Sequence, residues 1–206
     1  MEAEQYLSFL ANQIHTVIAA TSDSNGHPVT CAIDIMDSDA DSLYFLTARG
    51  KSFYHRLKEQ QFIALTGIKG NDTMSSVAIS IRGHVEESNV LERLLKKNQY
   101  MYEIYPSEEA RKALCTFRIF DGTGEFFDLS SKPIVRRTFS FGGKKDDACS
   151  FLITENCDGC AACLSSCPQQ CIIGDSVPFH ISNDNCLMCG RCAEVCPRGA
   201  VIRRSL

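Results

Sequence analysis

The chain has 206 residues, is 44% hydrophobic and carries a formal net charge of −4. That length and apolar content suit a globular protein of two domains. The acidic balance, with no basic block, excludes a nucleic-acid footprint, and no apolar run reaches the roughly 20 residues a membrane-spanning helix needs.

The first residues have neither a basic start nor a long apolar run, so no secretory signal is expected. Ala3, Leu7, Leu10 and Ile14 share one helical face, which predicts a helix over 3–14. Short β-type segments follow at 15–21 and 29–36, joined by Asp23, Ser24, Asn25 and Gly26, a hairpin signal. A third strand is expected at 42–47, a helix at 51–60 and a strand at 62–68. Residues 74–87 alternate, with Val77, Ile79, Ile81 and Val85 facing one way. Helices fit 89–99 and 107–114. Two last strands fit 116–120 and 125–129, joined by a turn at Asp121, Gly122, Thr123 and Gly124. The fold class is α+β: a six-stranded antiparallel barrel over 1–130, a linker over 131–149 and a small α+β domain over 150–206.

That last domain holds eight of the twelve cysteines. Cys157, Cys160, Cys163 and Cys167 with Pro168 read C-x2-C-x2-C-x3-C-P, and Cys186, Cys189, Cys192 and Cys196 with Pro197 repeat it. The pattern resembles bacterial two-cluster ferredoxins, in which each fourth cysteine ligates the other cluster. Three closely spaced cysteines wrap one loop around a cubane corner, and the fourth ligand comes from the distant repeat. One [4Fe–4S] cluster therefore takes Cys157, Cys160, Cys163 and Cys196. The other takes Cys186, Cys189, Cys192 and Cys167. A disulfide framework suits a secreted mini-protein, and structural zinc sites lack a third cysteine two residues further on. Cys171 aligns with Ala200 of the second repeat and reads as a small buried residue opening a strand. Reduced thiols and oxygen-sensitive clusters point to a reducing cytoplasm, in an anaerobe.

The N-terminal part resembles the pyridoxamine 5'-phosphate oxidase-like split barrel, a flavin-binding family. The carrying words, in order, are Ala19-Ala20-Thr21, Asn25-Gly26-His27-Pro28, Leu43-Tyr44-Phe45-Leu46-Thr47, Gly50-Lys51-Ser52 and Ile79-Ser80-Ile81-Arg82-Gly83-His84-Val85. The resemblance implies FMN at the interface of a homodimer, its phosphate held where the third strand enters the next helix, at Thr47, Lys51 and Ser52. The residue types agree: helix-start amides, two hydroxyls and a cation coincide. The competing reading is a solvated turn capping a surface helix. Members of the superfamily also bind a deazaflavin or haem. One departure stands out. The vitamin-making oxidases carry a basic-ended strand near the flavin, whereas Val29-Thr30-Cys31-Ala32-Ile33-Asp34 has no basic residue. This argues against pyridoxamine phosphate as substrate. Cys31 reads either as a flavin neighbour or as an inward packing residue. The five histidines have no metal spacing, and no dinucleotide-binding glycine motif is present.

The sequence reading is thus an FMN-dependent oxidoreductase with two [4Fe–4S] clusters, an external redox donor protein and a small-molecule acceptor. The alternatives are an electron carrier or redox sensor without its own substrate, and a barrel serving only as a dimerisation platform.

Overall fold

The computed structural model describes residues 2–144 and 149–204. The described residues form two compact units, one of residues 2–70, 78–125 and 139–144, the other of 71–77, 126–138 and 149–204.

In the first unit, α1 (Ala3–Phe9) opens on a capping box between Glu2 and Gln5 and widens into a π-helical turn, Leu10–Ile14. The segment expected as one α-helix over 3–14 is therefore α-helical only in its first half. β1 (Thr16–Ser22) and β2 (Pro28–Asp34) pair from Thr16↔Asp34 to Ser22↔Pro28. Asp23 closes their turn by accepting the amides of Asn25 and His27 at 2.8 and 2.9 Å. There follow β3 (Asp37–Ser38), β4 (Leu43–Ala48), α2 (Ser52–Gln60), β5 (Phe62–Lys69), β6 (Val77–Ser88), α3 (Leu91–Lys97), α4 (Met101–Ile104), α5 (Glu108–Arg111), β7 (Leu114–Asp128), whose last residues from 126 on count with the second unit, and β8 (Val135–Phe141), of which only residues 139–141 count with the first. The sheet order is β2-β1-β5-β6-β7-β4-β3, with β8 also pairing β7.

The sheet is the antiparallel split barrel expected, with seven strands on its path and an eighth beside it, in place of six. The turn expected at 121–124 is absent: these residues lie within β7, which accommodates a left-handed backbone at Asp121 (φ 50°). Its glycines serve close approach instead. A Cβ on Gly122 would lie 2.6 Å from both the Arg82 carbonyl oxygen and the Phe141 ring. Phe141 and Phe139 of β8 are buried, and Phe139 stacks on Tyr6 with centroids 4.5 Å apart. The central core is aromatic and aliphatic: Phe45 and Phe117 are cross-strand partners with rings 5.7 Å apart, among fully buried Leu43, Ile79 and Ile119. A second cluster of Met36, Tyr44, Leu94, Leu95, Met101 and Leu114 seats α3 and α4 against the strands.

The second unit contains β9 (Ser150–Ile153), α6 (Ala162–Ser166), β10 (Ile172–Ile173), β11 (His180–Ile181), α7 (Arg191–Glu194) and β12 (Val201–Arg204). β9 pairs β12 and β10 pairs β11, both antiparallel. Phe151, Ile172, Phe179, Ile181 and Val201 form its core together with the cysteines. The linker expected over 131–149 is corrected in its first part, which contains β8. Within this unit Ile134 donates its amide to Gln169 at 3.2 Å and accepts the Asn185 amide group at 3.0 Å, and Arg137 meets Asp184 at 3.1 Å. Residues 145–148 lie outside the described residues. Among the described residues, no helix is long and apolar enough to cross a membrane.

Overpacking at the β7–β8 contact gives a direct test. Gly122→Ala should destabilise the first unit by about 1–3 kcal/mol, as insertions into packed contacts do. Gly50→Ala, with nothing within 4 Å of the added Cβ, should leave the melting temperature nearly unchanged. Thermal unfolding of both variants measures the difference.

Candidate redox sites

The eight motif cysteines line two separate cavities of the second unit. One is lined by Cys157, Cys160, Cys163 and Cys196, the other by Cys186, Cys189, Cys192 and Cys167. Each cavity thus takes three sulfurs from one motif and the fourth from the other. The backbone repeats as well. Gly159 and Met188, Ala161 and Gly190, and Gln170 and Gly199 occupy equivalent places, and all six have φ between 51° and 77°. Three are non-glycine residues in a region that disfavours side chains, each costing about 1–2 kcal/mol. Such strain persists only where the surroundings over-determine it, as at ligand-binding loops.

Charge placement follows the same symmetry. Burial works against charging Cys167 and Cys196, but backbone amides, joined at Cys167 by the Cys171 side chain, outweigh it and hold both thiols below the ordinary cysteine range. The amides belong to residues 169–171 for Cys167 and 198–201 for Cys196, and the Ala200 amide lies 3.3 Å from Cys196 Sγ. Burial pushes the thiols of Cys163 and Cys192, again equivalent positions, upward. All twelve cysteines are free. Among the described residues, no three His, Cys, Asp or Glu side chains converge as they would on a single ion. Sulfurs spread around a cavity fit a cubane, whose irons carry one thiolate each at separate corners.

Cys171 is buried, as its sequence position suggests, but it does more than open β10. Its Sγ lies 3.5 Å from Cys167 Sγ and lines the same cavity. Burial first, then the bond to Cys167, push its thiol up to about 12.

The first unit holds a cavity of about 320 Å³, large enough for a small ligand. Thr47, buried near the end of β4, and Lys51 both line it. Ser52 is exposed at the start of α2 and is not among the lining residues. Lys51 is the N-cap of that helix and makes no side-chain cap, so the first amides of α2 are open to an anion. Cys31 also lines the cavity. Burial raises its thiol, against the lowering effect of Arg56 and Lys51.

The sequence gives no sign of a second polar group in this cavity, built from Thr16, Asp34 and Tyr100. Asp34 accepts from Thr16 at 2.8 Å and from the Tyr100 hydroxyl at 2.8 Å. His15 Nε2 lies 3.3 Å from that hydroxyl and 3.5 Å from Asp34. Two hairpin strands supply Thr16 and Asp34, but Tyr100 arrives through the packing of α3 and α4. No local sequence signal could have joined them. His15 has φ 65° and ψ −67°, held by its amide to Leu10 and its carbonyl to Ile35, both at 2.8 Å. Burial, then the hydrogen bond and charge of Asp34, raise the Tyr100 phenol above the ordinary tyrosine range.

Comparisons with known proteins bear on both parts of the chain. Residues 156–201 match the family described as a 4Fe-4S dicluster domain. The barrel superposes on a NimC/NimA family protein from Clostridium acetobutylicum at 15% identity and TM-score 0.54, covering 68% of this chain and 95% of that one. A protein of the same organism related to general stress protein 26 of B. subtilis, of the pyridoxinephosphate oxidase family, gives 18% identity and TM-score 0.53, covering 66% and 95%. A heme binding protein from Mycobacterium smegmatis gives 10% and 0.51, covering 69% and 59%. No curated protein matches the chain. The chain therefore joins a split barrel of the pyridoxamine 5'-phosphate oxidase-like fold to a ferredoxin-type 4Fe–4S domain.

The raised phenol of Tyr100 has a pH signature. A raised folded pKa contributes stability that is present below the ordinary value of 10.0 and is lost as pH climbs above it. The melting-temperature advantage of the native chain over Tyr100→Phe should therefore hold up to about pH 9 and shrink from about pH 10 upward. A constant difference would remove the Tyr100–Asp34 coupling.

Proposed function

We propose that the chain is an iron–sulfur flavoprotein oxidoreductase. It exchanges electrons between two [4Fe–4S] clusters, a barrel-bound FMN and a small acceptor. The observation that carries this reading is the crossed set of four sulfurs around each cysteine cavity, in a chain that also has a ligand-sized cavity in a split barrel. When bound, the clusters supply one-electron transfer and the flavin can take one or two electrons, so the pair suits a one-to-two-electron converter.

The residues have separate tasks. The two sets of four cysteines hold the clusters, and the amides around Cys167 and Cys196 stabilise their thiolates. Lys51, Thr47 and the open amides of α2 hold the flavin phosphate, with Ser52 adding a hydroxyl from outside the cavity wall. Asp34 and Tyr100, in the same cavity, offer an acceptor hydrogen-bonding partners. A reducing protein of ferredoxin type is the external donor. The barrel pairs with a second copy of itself through the outer face of β1, where Ile18 is 53% exposed between Ala32 and Thr66 on the neighbouring strands. The thiols and clusters need a reducing compartment such as the cytoplasm.

Double variants test the crossed ligation. The full chain, reconstituted anaerobically, should hold about eight irons. Cys167→Ser should lower this toward about four, and adding Cys186→Ser should remove no more iron. Combining Cys167→Ser with Cys196→Ser should remove nearly all of it. If instead Cys167→Ser with Cys157→Ser removes only one cluster, the crossed assignment is wrong.

Flavin retention tests the barrel. Lys51→Glu should weaken FMN binding roughly ten- to hundred-fold, the loss of one charge-assisted bond, with iron content unchanged. Unaltered flavin affinity would place the phosphate elsewhere.

A further inference from the structure

The two halves of the cysteine unit repeat each other in loop geometry and amide placement, and one difference touches a ligand sulfur. Four residues after Cys167 stands Cys171, whereas four residues after Cys196 stands Ala200. Both positions turn a backbone amide onto the sulfur that precedes them. Only Cys171 adds a polar side chain. Its Sγ is 3.5 Å from Cys167 Sγ, it is 7% exposed, and it lines the cavity shared by Cys167, Cys186, Cys189 and Cys192. The corresponding wall of the other cavity is the methyl group of Ala200.

We infer that Cys171 tunes the cluster held by Cys186, Cys189, Cys192 and Cys167, raising its reduction potential above that of its twin by donating an S–H hydrogen bond to Cys167. The inference rests on the cluster reading above. The direction of donation follows from ligation. A cysteine bound to iron is a thiolate without a proton, so Cys171 alone can donate. Such a bond draws electron density from the ligand sulfur and favours the more negative, reduced state. Hydrogen bonds to the sulfurs are among the factors that set cluster potentials. Phe151, Ile172, Ile181 and Leu187 wall the same cavity, so water is a poor substitute donor there. The step is balanced. One electron arrives from a low-potential protein donor, the thiol proton stays on Cys171, and no covalent bond forms or breaks. Two sites built on one pattern thereby become a higher-potential and a lower-potential station.

The test is an anaerobic redox titration of the reconstituted full-length chain, followed by electron paramagnetic resonance, with iron analysis of every sample. The native chain should hold about eight irons and reduce in two separate waves. Cys171→Ala, which copies Ala200, should keep the irons and shift the higher wave down onto the lower one. Cys171→Ser, with a hydroxyl donor, should restore part of the split. Ala200→Cys should move the lower wave upward. Full iron with both waves unmoved in Cys171→Ala overturns the inference and leaves the cluster reading intact. A native chain holding far fewer irons overturns the cluster reading and this inference with it. If Cys171→Ala loses iron, Cys171→Ser decides: full iron with an unsplit titration overturns the inference, and a partial split supports it.

Discussion

Sulfur charge at the partly exposed Cys167 and Cys196 is the constraint around which the C-terminal unit is built. A small module with so short an apolar core cannot hold several thiolates unless something pays their desolvation. Backbone amides do so at Cys167 and Cys196, and they can because the chain adopts left-handed conformations at matching places in each repeat. Ligation completes the balance, since metal binding to deprotonated ligands is itself folding free energy. The crossed placement of the fourth sulfur ties the repeats together: each cavity is lined by sulfurs of both motifs.

In the barrel unit a different economy operates. Its core is held by ordinary apolar burial around Phe45 and Phe117, with no charge to compensate. The polar groups are displaced to the cavity. There Lys51 and the start of α2 offer positive character, and Asp34 with Tyr100 offers a carboxylate whose oxygens are already hydrogen-bonded. Burial and Asp34 raise the Tyr100 phenol, so its hydroxyl keeps the proton that it donates to Asp34.

Local repetition can mislead about strand ends. Residues 121–124, with two glycines, look like a hairpin turn, yet they lie within β7 because Gly122 leaves room for Arg82 and Phe141. Residues 135–141 fall within the linker expected over 131–149 for want of periodicity. They form β8 because Phe139 and Phe141 find buried places against partners distant in sequence. In both cases the deciding contact is non-local, and turn chemistry or composition is overruled by packing.

What the sequence determined alone was whatever depends on spacing along one short loop: the two cysteine motifs, the hairpin at Asp23, the alternation of β6 and the helix start at Lys51. Ligand spacing and side-chain period are local quantities, so they survive without coordinates. Tertiary structure alone decided that His15, Asp34 and Tyr100 come together. Those are distances between residues on separate elements. They are fixed by how the elements pack, which no single segment of the chain specifies.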